Sequence, residues 1–172
     1  MLKWLAIIVG ALVAIGLALF VAGSMLPQNH AASRTTHLSQ PPERVWATIS
    51  DVGAYASWRP DVDSVRQLSP RNGHMTWREF RRDNGLTLEA TTSEPPRHLV
   101  TRIADIGLPF GGTWDISISP EGTGSRITIT ENGEIYNPVF RVMSKLMNQT
   151  ATIDSYLTGL AGKLGDTYTP PA

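Results

Sequence analysis

No charged residue interrupts the stretch from Leu5 to Leu26 (LAIIVGALVAIGLALFVAGSML), and nothing else in the chain constrains its fold as strongly. As a helix, these 22 residues reach about 33 Å, close to the hydrocarbon thickness of a bilayer. Glycine and other small residues are tolerated in such helices. Pro27 ends the run, and the polar Gln28, Asn29 and His30 follow. A cleaved signal peptide has an apolar core of about 7–15 residues, shorter than this one, and its only small-residue candidate for cleavage, Ala22-Gly23-Ser24, lies inside the run. A buried core helix is the third reading, but the segment is hydrophobic all round and opens the chain. Residues 1–30 therefore read as a single-pass anchor, crossing the membrane through residues 5–26, plus a short linker. Lys3 and the α-amino group flank it on one side, while the other side has no Lys or Arg before Arg34. The positive-inside rule then puts the domain on the exported side, periplasmic or extracellular.

Beyond residue 30 the chain has 142 residues, with all 15 acidic residues and 14 of the 15 basic ones, so its charge is near −1. That balance excludes the basic excess by which a chain neutralises nucleic acid, and no nucleic-acid partner is expected. With 41% apolar and 17% charged residues the chain is too apolar for disorder. The length suits one domain, placed at 31–166, followed by a Pro-rich flexible tail at 167–172. The chain has no cysteine, which excludes disulfides, thiolate metal sites and a Cys nucleophile. His30, His37, His74 and His98 have no metal-ligand spacing, and there is no GxSxG elbow and no phosphate loop. No metal, cofactor or catalytic residue is assigned.

Within the domain, Ser33–Ser39 reads as a short strand and Gln40-Pro41-Pro42 breaks it. Glu43–Ser50 has Val45, Trp46 and Ile49 at helical spacing, and Gly53–Trp58 reads as a second helical turn stopped by Arg59-Pro60. Six strand signals follow: Val62–Leu68, His74–Arg82, Leu86–Ser93, Arg97–Ile103, Gly112–Ser119 and Ser125–Ile135. The turns between them are tight, which predicts an antiparallel meander. Asn137 can cap a last helix that starts at Pro138. Val139, Val142, Met143, Leu146, Thr150, Ile153, Leu157, Leu160 and Leu164 then recur at steps of three and four, predicting one helix of about 27 residues. The fold class is α+β, in the order β-α-α-β6-α behind the anchor.

That order, together with Pro42-Glu43-Arg44-Val45-Trp46, Asp51-Val52, Tyr55, Trp58, Pro60, Gly111-Gly112-Thr113-Trp114 and the Ile127–Glu131 strand, resembles the helix-grip fold of the SRPBCC superfamily. The superfamily includes START lipid-transfer domains, the birch-pollen-allergen family and the polyketide cyclase/dehydrase group. The resemblance covers about residues 33–165. It implies a curved seven-stranded antiparallel sheet wrapped on the C-terminal helix, with an apolar cavity between them. The anchor departs from the usual soluble layout.

Alternation orients the strands. Trp114, Ile116 and Ile118 share a face, as do Ile127, Ile129 and Glu131, and a turn at Glu121–Gly124 sets Ile116 opposite Ile129 and Trp114 opposite Glu131. Glu131 then enters the cavity, where a carboxylate needs a partner or a raised pKa. It serves there as a polar anchor for a ligand head group, unless it reaches solvent near the strand's end or a bulge at Asn132-Gly133 flips the face. On His74–Arg82, Met75, Trp77, Glu79 and Arg81 lie on one face, with His74, Thr76, Arg78 and Phe80 on the other. Arg78 and Arg81 either pair with Glu131 or stay solvated, and together with Arg82 they are candidates for contact with anionic head groups. The expected cavity lining is completed by Trp77 and Leu88, by Leu108 and Phe110 on the Pro/Gly loop, and by Val142, Met143 and Leu146. Leu108 and Phe110 either gate the cavity or simply fold on the core. Trp46 and Trp58 lock the first helices to the sheet. Met143 and Met147 give an adaptable wall or ordinary core filling.

Three functions fit. A membrane-anchored module binds an apolar or amphipathic small molecule such as a lipid, isoprenoid or quinone-like compound. Alternatively, a polyketide cyclase/dehydrase-type enzyme uses the same cavity, with Glu131 and an Arg or Tyr136 as its acid/base pair. A protein-interaction module would show an exposed apolar patch outside the cavity.

Overall fold

The computed structural model describes residues 2–171. Its first helix, α1 (Leu2–Met25), carries the uncharged run, and it is long and apolar enough to cross a membrane. The chain then enters β1 (Asn29–Leu38), two residues ahead of the expected domain start. Pro42 opens α2 (Pro42–Ser50), a position where its missing N–H costs nothing. Val45 and Ile49 of α2 are fully buried. A 3-10 turn (Val52–Ser57) leads into β2 (Ser64–Arg71), β3 (His74–Arg81), β4 (Asn84–Glu94), β5 (His98–Ile103), β6 (Phe110–Glu121) and β7 (Gly124–Ile135).

All seven strands form one antiparallel sheet in the order β1-β7-β6-β5-β4-β3-β2. Strands β2 to β7 run as the expected meander, and β1 closes the far side against β7. Ile116 lies opposite Ile129 and Trp114 opposite Glu131. The inner face holds the C-terminal helix α4 (Ala151–Leu164). Ile153, Leu157 and Leu160 pack there against Ile116, Ile118, Ile127 and Ile129, all essentially inaccessible to water. Each such side chain contributes about 1.5–3 kcal/mol of burial. The helix comes very close to the 3-10 turn, where a Cβ on Gly159 would stand 2.4 Å from the Trp58 carbonyl oxygen. This is the helix-grip fold.

The helix it grips is shorter than the periodicity predicts. Residues 138–164 form two helices, α3 (Pro138–Ser144) and α4, separated by turns at 145–150. At the break the Asn148 side-chain oxygen accepts from the Thr150 N–H, so a side chain takes over from the helical ladder. The apolar stripe is divided accordingly. Its second half fills the core, while α3 turns away to lie along α1. Val142 is only half-buried, and Met143 and Leu146 are 53% and 83% exposed, so these three do not line the space under the sheet. The tail also differs from expectation. Tyr168 is buried, and its hydroxyl donates to Asp154 Oδ1 at 2.6 Å, holding the chain on the core to that residue.

Candidate functional site

Along the inner face of β6 and β7 the burial is interrupted, and it returns at the far end, where Gly133 and Ile135 are buried. Ile116, Ile118, Ile127 and Ile129 are closed off by α4, but Trp114, Phe110 and Glu131 further along are half-exposed. Leu88 on β4 and Leu108 on the β5–β6 loop are half-exposed as well. The helix break contributes: α4 begins at Ala151 and α3 lies along α1 and against the end of β7, so the partly exposed positions between them are not covered by α4. Two hollows lie near this end of β6 and β7, and neither is lined by Leu88, Trp114 or Glu131. One, of about 290 Å³, is lined by Arg102, Asp105, Leu108, Phe110, Thr113 and Tyr136 among others. The second, of about 340 Å³, is lined by residues 29–31 and 132–134. Thus Leu108 and Phe110 border the first hollow, Leu88, Trp114 and Glu131 are partly exposed without lining either, and Trp77, Ile116, Ile118, Ile127 and Ile129 lie in closed core.

Glu131 projects inward, as the strand alternation requires. The Trp114 indole Nε1 donates to Glu131 Oε2 at 3.0 Å, and His30 Nε2 on β1 lies 3.8 Å from Oε1. Burial raises the Glu131 pKa above the usual carboxylate value, against the opposing pull of the Trp114 hydrogen bond and of His30. His30 Nδ1 is buried without a protein partner. The expected Arg or Tyr136 partners are elsewhere. Tyr136 donates to Glu134 instead, and Arg78 to Thr87, Asp105 and the Gly85 carbonyl.

A second polar cluster lies deeper, under β3, and was not foreseen. Arg59 donates to Glu79 Oε1 at 2.9 Å and grips both oxygens of Asp61, at 3.3 and 2.6 Å. Its guanidinium sits 5.0 and 5.1 Å from the Tyr55 and Tyr156 ring centroids. Trp77 Nε1 also donates to Glu79 Oε1, at 2.9 Å. Burial pushes the Glu79 pKa up, although the Arg59 charge and the Trp77 hydrogen bond oppose it. Burial also raises the Tyr156 hydroxyl, the largest of its influences. Trp58 packs edge-on against Tyr55 and Tyr156, and Tyr156 in turn against Trp114. Among the described residues, the Tyr156 hydroxyl and Trp58 Nε1 have no hydrogen-bond partner. A signal for this cluster existed: the alternation that turns Trp77 inward carries Glu79 with it, and a buried carboxylate calls for a cation. Arg59, at a helix stop, shows no periodicity that would name it as that cation.

Chemically, this end of the sheet offers aromatic and aliphatic side chains and one partly buried carboxyl group. Among the described residues no group of three or more His, Asp or Glu is placed to hold a metal ion.

The molecule is similar to several solved structures. Zhui aromatase/cyclase from Streptomyces sp. R1128 superposes with a TM-score of 0.62 at 12% identity, over 80% of this chain and 94% of its own. A START superfamily protein from Mycobacterium smegmatis gives 0.60 at 18%, over 79% and 97%. The di-domain aromatase/cyclase StfQ of the steffimycin biosynthetic pathway gives 0.66 at 9%, over 80% of this chain and 52% of its own. At such identities the likeness is one of fold. No curated protein matches the sequence. Residues 29–164, the whole sheet with its helices, match the family described as polyketide cyclase / dehydrase and lipid transport, and the chain belongs to that family.

Proposed function

We propose that the chain is a membrane-anchored binding protein for an apolar or amphipathic small molecule of the lipid, isoprenoid or quinone-like kind. The observation that carries this is the partly exposed Trp114 hydrogen-bonded to the partly buried Glu131, with Leu108 and Phe110 bordering a hollow of about 290 Å³ at the same end of β6. Apolar contact supplies the affinity there, and the carboxyl group orients the polar end of the ligand. Lipid transport is part of the family's description, and α1 would keep the domain beside a source of such molecules. The charge bias around α1 favours an exported domain. The test is native mass spectrometry of the full chain released from nanodiscs, followed by organic extraction. A co-purifying lipid-like mass that is lost in Trp114→Ala is expected. A folded chain that releases no such mass overturns the reading.

One observation favours a second reading, an enzyme of the cyclase/dehydrase type. Glu131, with its pKa raised by burial, lies beside a histidine whose other ring nitrogen is unpartnered. Such a pair can exchange a proton with a bound substrate. An empty chain that turns over an aromatic polyketide-like substrate, and loses that turnover in Glu131→Gln, would establish it.

A further inference from the structure

The helix that left the sheet is held by an unusual clasp. Arg141 of α3 donates to four backbone carbonyls: Ile135 at 2.7 Å and Tyr136 at 3.1 Å at the end of β7, and Gly23 and Leu26, both at 3.3 Å, at the end of α1. The Gly23 carbonyl also accepts from the Leu26 N–H at 3.2 Å, so the guanidinium adds a second donor there and joins the end of α1 to the domain. The packing beside the clasp is close. A Cβ on Gly23 would overlap the Pro138 carbonyl oxygen, so no other residue fits there without displacement. Leu19, Gly23 and Leu26, one face of α1, are the positions along its last turns that lose exposure. They span about 10 Å of helix axis. Helix α3 therefore lies alongside the final turns of α1, at the depth where a spanning helix leaves the hydrocarbon.

What α3 and the following turn present outward is apolar. Met143, Leu146 and Met147 are 53%, 83% and 63% exposed, Phe140 lies beside them partly exposed, and Lys145 is exposed among them. Clusters of this kind are uncommon on a surface facing water. We propose that α3 and the turn to Met147 form a second membrane-contact element, seated in the interface of the bilayer that α1 crosses. Continuity with α1 names the occupant: the clasp holds this patch at lipid depth, where apolar side chains enter the acyl boundary and Lys145 meets the head groups. The same element borders the hollow beside Phe110. Phe140 packs on Phe110 with ring centroids 6.4 Å apart, so that hollow would lie next to the lipid surface. The proposal rests on α1 spanning the membrane.

The chain lacks cysteine, so single-cysteine variants can be spin-labelled without background. Met143→Cys, Leu146→Cys and Met147→Cys would be compared with Leu12→Cys in mid-α1 and Thr123→Cys in the β6–β7 turn. The full chain would sit in nanodiscs of phosphatidylcholine with some phosphatidylglycerol. Relaxation by oxygen, concentrated in lipid, would be set against relaxation by a water-soluble nickel chelate. The expected result is that labels 143, 146 and 147 favour oxygen, as label 12 does, while label 123 favours nickel. If label 12 is in lipid but the three behave like label 123, this proposal fails and the anchor stands. Shielding of the three from both relaxants overturns it in favour of a protein partner. If label 12 itself is in water, the anchor reading falls and this proposal with it.

Discussion

Arg59 lies between two carboxylates and two tyrosine rings, and that arrangement decides how it responds to mutation. Arg59→Met leaves Glu79 charged in a dry site, and the loss of stability expected from breaking a buried pair is about 3–5 kcal/mol. Adding Glu79→Gln should recover much of it, because the uncompensated charge goes with the cation. Thermal unfolding of both variants in detergent checks this, and near-equal stability of wild type and Arg59→Met would show that the pair contributes nothing net. Glu131 sets a pH dependence. Its folded pKa is raised, so the folded state binds a proton more tightly than the unfolded one. Its contribution is then fully present below the usual carboxylate value of 4.5 and is lost as pH rises through the raised folded value. Glu131→Gln is expected to flatten that decline in melting temperature. Asp154 acts in the opposite sense. Burial pulls its pKa up, but hydrogen bonds from Tyr168, Arg34 and Thr150 outweigh burial and leave it lowered. Its stabilisation is present above 3.8 and lost as pH falls through the lowered value, so Asp154→Asn should flatten the acid limb of the same curve.

At the scale of elements, the strands were legible and the last helix was not. The inward set on β6 and β7, with Ile116 opposite Ile129 and Trp114 opposite Glu131, follows from period-two alternation and a tight turn, both local properties. The division of the C-terminal helix follows from contacts that periodicity does not report. The stripe from Val139 to Leu164 satisfies one continuous helix, but the sheet covers only its second half, and α1 offers the first half a different surface. Hydrogen exchange should show the division, with the amides of residues 146–150 exchanging far faster than those of 156–164. The packing of α4 on the 3-10 turn yields a further expectation. Gly159→Ala drives a Cβ against backbone and should cost about 1–3 kcal/mol, read from the melting of the variant.

For the whole molecule, α1 and the domain are not independent parts joined by a free tether. The linker is only a few residues long, and Arg141 fastens the end of α1 to the end of β7. The hollow beside Phe110, α3 and the end of α1 then lie on one side. The full chain is expected to stay with membranes through alkaline extraction, and a chain starting at Gln28 to be released. Equal release of both would show that α1 does not cross the bilayer.

Length, the uncharged run and the alternation of six strands determined the class of fold, the register of β6 with β7 and the inward direction of Glu131. Each of these is written in short-range order, where the period of the side chains names the face. Four features had to wait for the tertiary structure: the pairing of Arg59 with Glu79, the departure of α3 from the sheet, the partial exposure of Trp114 and Glu131 and the clasp on α1. These depend on which surfaces meet across long separations in the chain. Whether Val142, Met143 and Leu146 face a ligand or a membrane depends on competition between two apolar partners, the sheet and α1, and no local pattern records which one wins.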